Sequence, residues 1–349
     1  MPSGTTTERS PVEFVLFLGA GASASFGIPT LTGLKRRVKT ELPSYLTRLG
    51  QIERDLRASG FRTDIEKILM YLDASGRPRN TFRVLGPAMI PLSGRVSKSS
   101  LKPREADNRL AIRIKKTMRK SCLVKDGKMR QHITAHYDRM MPQLVQRFGL
   151  TSLTPPPSGL SYPDVDVFTT NYDNVLETLC FDRGLGHTDG YADVTGSRQL
   201  SFDEKEYDVP NRIRIYKLNG SVELVRLRGD GIVRTDSPLR PTWLGYAVQD
   251  LLIYPGLSKK FWKKPQLELF YKLKESLGTA RNCLCVGYSF GDEEILDVFI
   301  EAIWSNASLK LYIVSPDAAV IKRNRFQNHN QVEAVSKKFE DLNPLTDLP

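Results

Sequence analysis

Cysteine, histidine and long apolar runs are all scarce in this chain of 349 residues. Its four cysteines, Cys122, Cys180, Cys283 and Cys285, are too few and too irregularly spaced for a disulfide framework. No CxxC pair exists to begin a zinc site, so no metal is expected. Cys283 and Cys285 alternate along an apolar run, where small hydrophobes belong. No uninterrupted apolar stretch approaches a membrane span, and residues 1–10 lack the apolar core of a signal peptide. These absences lead to the expectation of a reduced, cytoplasmic protein with no membrane partner. Of the four histidines, His132 and His136 share a helical face at i, i+4, but no third metal ligand is evident. His187 lies in a Gly-rich loop sixteen residues beyond Asn171. A surface or core role is the default reading for all three, with a pocket role as the alternative for His187.

Charge of one sign is in excess, and the excess is local. The formal net charge is +12, while residues 95–130 alone hold thirteen Lys or Arg against Glu105, Asp107 and Asp126. Ala106, Leu110, Ile114, Met118 and Cys122 recur every fourth residue there, which predicts a basic amphipathic helix. Such a helix is either a solvated face or a surface for nucleic acid, an acidic partner or an anionic ligand. Aromatic residues are absent between Arg95 and Arg130, which excludes base stacking by that run.

The remaining pattern is that of an α/β protein. Residues 12–18 form an apolar first strand, and helical spacing dominates from Leu34 to Gly149, interrupted near 75–103. The run Thr154-Pro155-Pro156-Pro157-Ser158-Gly159 marks a connector. A strand at 164–169, a helix near 174–182 and a polar excursion from Arg183 to Arg212 follow. Strands at 213–218 and 251–254 precede a regular close: helix 266–278, strand 282–287, helix 292–305, strand 309–314 and a short helix beyond 317. Strands alternating with helices predict a Rossmann-like, doubly wound parallel sheet with a large helical insertion. The tail after Lys338 reads as poorly ordered.

Four polar segments end predicted strands, where open α/β sheets bind ligands. Gly19-Ala20-Gly21-Ala22-Ser23-Ala24 is a glycine-rich strand-to-helix turn, suited to a pyrophosphate at a helix amino terminus. Thr169-Thr170-Asn171-Tyr172-Asp173, Asn219-Gly220-Ser221 and Gly287-Tyr288-Ser289-Phe290-Gly291-Asp292 are the others. Each taken separately is equally a turn or a helix cap. Four on one edge of one sheet argue for a site.

Together with Gly27-Ile28-Pro29 and Lys217-Leu218-Asn219-Gly220-Ser221, these phrases resemble the sirtuin family, and more narrowly its bacterial NAD-hydrolysing branch of antiviral defence systems. The likeness runs from residue 14 to about 316, with no matching motif in residues 35–150. It implies a discontinuous NAD-binding domain at 1–34 and 160–338, a helical, basic insertion at 35–159 and a C-terminal tail at 339–349. Gly19, Ala20, Gly21 and Ser23 would cradle the pyrophosphate, with Ile28 and Pro29 on the nicotinamide side. Asn171 would be the catalytic asparagine at the nicotinamide ribose, and Asp173 would contact the nicotinamide region. Gly287, Tyr288 and Ser289 would line the adenosine side, with Ser315 flanking the adenine ribose.

Two departures from the family bear on activity. The paired zinc cysteines of the deacylases are absent, which argues against protein deacylation. Asn219 stands where the family carries its catalytic histidine. A carboxamide keeps a hydrogen bond to a ribose hydroxyl but is no base near neutral pH. The resemblance therefore implies an NAD+ glycohydrolase effector, releasing nicotinamide and ADP-ribose, with weakened turnover. Control by homo-oligomerisation or a partner sensor protein is implied with it. The alternative is a non-catalytic NAD- or ADP-ribose-binding assembly subunit, contacting nucleic acid through residues 95–130.

Overall fold

The computed structural model describes residues 13–75, 101–153, 161–195, 199–227, 231–234, 249–252 and 264–349. The connector 154–159, residues 95–100 of the basic run and residues 253–254 of an expected strand lie outside them. Seven strands form one sheet: β1 (Phe14–Leu18), β2 (Asp166–Thr169), β3 (His187–Thr188), β4 (Ile213–Lys217), β5 (Asn282–Val286), β6 (Lys310–Val314) and β7 (Val332–Val335). Their order is β7-β6-β5-β1-β2-β4-β3, and every neighbouring pair is parallel. The first strand thus lies at the middle of the sheet, between two strands that follow it by well over a hundred residues.

Burial on both faces explains the composition of these strands. Along β1, Phe14, Leu16 and Leu18 enter one core while Val15 and Phe17 enter the other. The first core holds helices α2 (Leu31–Glu41), α3 (Leu46–Ala58), α4 (Ile65–Ser75), α5 (Leu101–Cys122), α6 (Gly127–Phe148) and α7 (Val175–Arg183). The second holds α8 (Gln266–Thr279), α9 (Glu293–Ser305) and α10 (Ala318–Phe326). Helices on both faces of a parallel sheet are the doubly wound arrangement expected. The helices of residues 31–148 share their core with the sheet.

Three features depart from the sequence expectations. The polar excursion and the strand near 251 contribute to a second, antiparallel sheet, in which Gly220–Arg226 pairs with Gln249–Leu252 and with Ile232–Arg234. The tail is ordered: Phe339, Leu342 and Leu348 are buried, and Arg139 and Arg147 of α6 donate to the carbonyls of Glu340 and Leu348. Its anchor is Phe339, whose ring lies 4.3 Å from that of His136. In α5 the stripe Leu110, Ile114, Met118 and Cys122 is buried as periodicity requires, but Ala106 is exposed. Asp107 takes the buried place instead, bound by Arg48 at 2.6 and 2.8 Å.

Candidate active site

The carboxyl ends of β1, β2, β4 and β5 open on a cavity of about 600 Å³. A short helix, α1 (Ala20–Ala24), leaves β1 through Gly19 and packs against the turn that follows β5. The Gly21 amide donates to the Gly287 carbonyl at 2.9 Å, and the Gly19 amide donates to Val286 at 2.8 Å. Gly287 is confined to glycine twice over. Its φ is +63°, and a Cβ there would come within 2.3 Å of the Ala22 nitrogen.

Asn171 lies two residues beyond β2 and lines the cavity. Its Nδ2 donates to the Gly19 carbonyl at 2.9 Å and to Ser23 Oγ at 3.1 Å, so the side chain is clamped from behind by the glycine turn. The other end of the carboxamide is different. Among the described residues Oδ1 is buried without a hydrogen-bond partner, and the same is true of Oδ1 of Asn219, two residues beyond β4. Asn219 Nδ2 lies 3.4 Å from the Thr170 carbonyl. Two carboxamides just beyond adjacent strands therefore line one cavity, each with a buried oxygen unmatched among the described residues.

Asp173 also lines the cavity, and burial raises its pKa against the opposing pull of Lys217. Lys217, the last residue of β4, is a buried cation that no local sequence pattern marks. Its Nζ donates to the Asp173 carbonyl and, at 2.7 Å, to Glu177 of α7. Burial opposes the charge on Lys217, but Glu177 and Asp173 outweigh it and hold the ammonium above its ordinary value. Burial likewise works against ionised Glu177, yet Lys217 keeps that carboxyl below its usual range. Behind them Asn174 bonds Glu223 at 2.9 Å and accepts the Val124 amide at 2.9 Å, tying the site loop to the link after α5.

Of the residues singled out from sequence, Ala20, Gly21, Ile28, Pro29, Asn171, Asp173, Asn219, Gly287, Tyr288 and Ser289 line this cavity. Gly19 and Ser23 stand behind it as supports of Asn171. Ser315 follows β6, where its Oγ accepts the Asp317 amide, and does not line the cavity. His187 lies on the edge strand β3, with burial lowering its pKa, and is not a lining residue. His132 and His136 pack edge-on against Phe26. Arg62, Asp64, Glu66 and Lys67 line the cavity from the helical segment, and no motif announced them. Glu66 accepts the Tyr172 hydroxyl at 2.7 Å, which fixes the residue between Asn171 and Asp173.

Residues 165–335 match the SIR2-like domain family. The SIR2-like segment carries β2 through β7, whereas β1 and the glycine turn lie outside it and are joined to it by the sheet. No curated protein matches the chain. Similar solved structures include a Sir2 homolog–NAD complex (12% identity, TM-score 0.42), covering 94% of this chain and 85% of that one. A Sir2 homologue mutant–ADP ribose complex (12%, 0.45) covers 94% and 88%. A Sir2–p53 peptide–NAD+ structure (11%, 0.40) covers 94% and 89%.

Proposed function

We propose that the cavity binds NAD+ and that the chain is an NAD+ glycohydrolase of low intrinsic turnover, cleaving the nicotinamide–ribose bond to give nicotinamide and ADP-ribose. The observation that carries this reading is the carboxamide pair. Asn171 and Asn219 line one cavity just beyond neighbouring parallel strands, and each holds a buried side-chain oxygen with no partner among the described residues. Acceptors so placed suit donors that a ligand brings, and ribose hydroxyls are such donors. The SIR2-like match over residues 165–335 supports the same ligand class. The resemblance to the defence branch extends the proposal to an anti-phage effector, controlled by self-assembly or a sensor protein.

Hydrolysis requires that water form a bond to the anomeric carbon while the carbon–nitrogen electron pair returns to the pyridinium ring. One proton must then leave the attacking water. Asn171 is held rigidly enough to orient the ribose or that water, through the bonds from its Nδ2 to Gly19 and Ser23. Asn219 cannot take the proton, and a missing general base slows such a step by about 10²–10⁴-fold. That deficit favours one second reading, a module that binds NAD+ or ADP-ribose without cleaving it.

Nicotinamide release, followed chromatographically beside calorimetric NAD+ binding, separates the two. Asn219→His should raise release by about 10²–10⁴-fold over the wild-type chain in the same assembly state. Tight binding with no release from either protein would support the binding module. Absence of binding would remove both.

A further inference from the structure

The glycine turn is the obvious cradle for a diphosphate, yet its amides are mostly committed within the protein. Gly19 N–H bonds Val286, Gly21 N–H bonds Gly287 and Ala22 N–H turns back on Gly19. An anion entering the cavity therefore meets few unoccupied donors on that side, and its charge must be balanced elsewhere. Among the described residues the sheet contributes one cation near the site, Lys217, and it is enclosed by Glu177 and the Asp173 carbonyl.

The opposite wall comes from the helical segment. Lys35 lines it but is held by Glu53 at 3.1 Å and by Thr63 Oγ1 at 3.0 Å. Arg62, in the loop before α4, is different. It lines the cavity, is exposed to solvent, and makes no ion pair or hydrogen bond with another described residue. Its guanidinium rests over Gly291, where an added Cβ would lie 3.2 Å from Nη1 and 3.5 Å from Ser289 Oγ. Gly291 is not at positive φ, so its backbone does not demand glycine. The missing side chain instead leaves room for the guanidinium beside Ser289, at the end of β5.

We propose that Arg62 is an anion-binding residue of the cavity, holding the diphosphate of the dinucleotide from the helical segment, across from the glycine turn. The proposal rests on the NAD+ reading for the identity of the ligand, and on the geometry of Arg62 for the anion. A planar guanidinium with unengaged N–H groups matches phosphate oxygens in pairs, which an ammonium does not. The helical segment then completes the ligand site, and binding depends on residues 60–64 being seated against the turn after β5.

Calorimetric titration with ADP-ribose, inorganic pyrophosphate and nicotinamide riboside tests this in the wild-type chain, Arg62→Gln and Arg62→Lys. Arg62 is exposed, so the variants should fold, and circular dichroism checks that they do. Arg62→Gln should weaken ADP-ribose and pyrophosphate by about 10- to 100-fold, leave nicotinamide riboside unchanged and flatten the salt dependence. Arg62→Lys should recover part of the loss. Unchanged ADP-ribose affinity in Arg62→Gln overturns the assignment while leaving the proposed function standing. Pyrophosphate binding that needs Arg62, in a chain that never releases nicotinamide, supports the assignment and counts against the hydrolase. A wild-type chain that binds none of the three overturns both.

Discussion

Replacing Lys217 by methionine should destabilise the fold by about 3–5 kcal/mol, the range for breaking one side of a buried ion pair. Lys217 and Glu177 are 6% and 7% exposed, and Nζ bonds both Glu177 and the Asp173 carbonyl. Methionine keeps much of the volume, so little of the loss comes from packing. The loss comes from a stranded carboxylate. Urea unfolding should show a lower midpoint with an unchanged slope. Adding Glu177→Gln removes the stranded charge, and the double variant should regain about 1–3 kcal/mol over Lys217→Met. The pH dependence follows from the two shifts. The raised pKa of Lys217 gives stability that is present below the ordinary lysine range and lost as pH rises through the folded value. The lowered pKa of Glu177 gives stability that is present above the ordinary glutamate range and lost as pH falls through its folded value. The gap between wild type and Lys217→Met should therefore be widest from about pH 5 to 10 and narrow on either side. A loss below about 1 kcal/mol, or a double variant no better than the single one, would refute the reasoning.

Two further outcomes are expected. Burial, with Arg139 and His132 adding to it, depresses His136 from 6.5 to about 4, so its contribution is present above pH 6.5 and lost as pH falls through about 4. The wild type should lose roughly 3 kcal/mol across that window on this account, and His136→Phe should lack that component in acid unfolding curves. Gly21→Ala places a Cβ 2.7 Å from the Gly287 Cα, so the turn bearing Tyr288 and Ser289 must shift. The variant should lose about 1–3 kcal/mol in denaturant and bind ADP-ribose more weakly, and wild-type affinity would contradict the role given to that turn.

The parallel sheet was legible because strands buried on both faces are written as short apolar runs between helical periods. The strand ends were legible for the same reason, and eight of the site residues picked from them line one cavity. Charge inside the protein was not. In β4, Arg214 and Lys217 look like solvent positions, yet both are buried, because Asp166 at 2.7 Å and Glu177 at 2.7 Å neutralise them. Those partners are 48 and 40 residues away, beyond any local pattern. The ordered tail was missed in the same way: Phe339 has its partners, His136 and Tyr137, two hundred residues earlier. Arg62 and Glu66 belong to a segment with no recognisable motif, and only the packing of α4 against the site loop brings them to the cavity.

The central claim is that Asn171 and Asn219 frame a site for NAD+, and calorimetric titration of the intact chain with NAD+ tests it most directly. One saturable site per chain is predicted, lost or weakened at least about tenfold in a folded Asn171→Ala variant, as expected for removing a buried hydrogen-bonding partner of the ligand. No heat of binding at millimolar NAD+, or equal affinity in the two proteins, would contradict it.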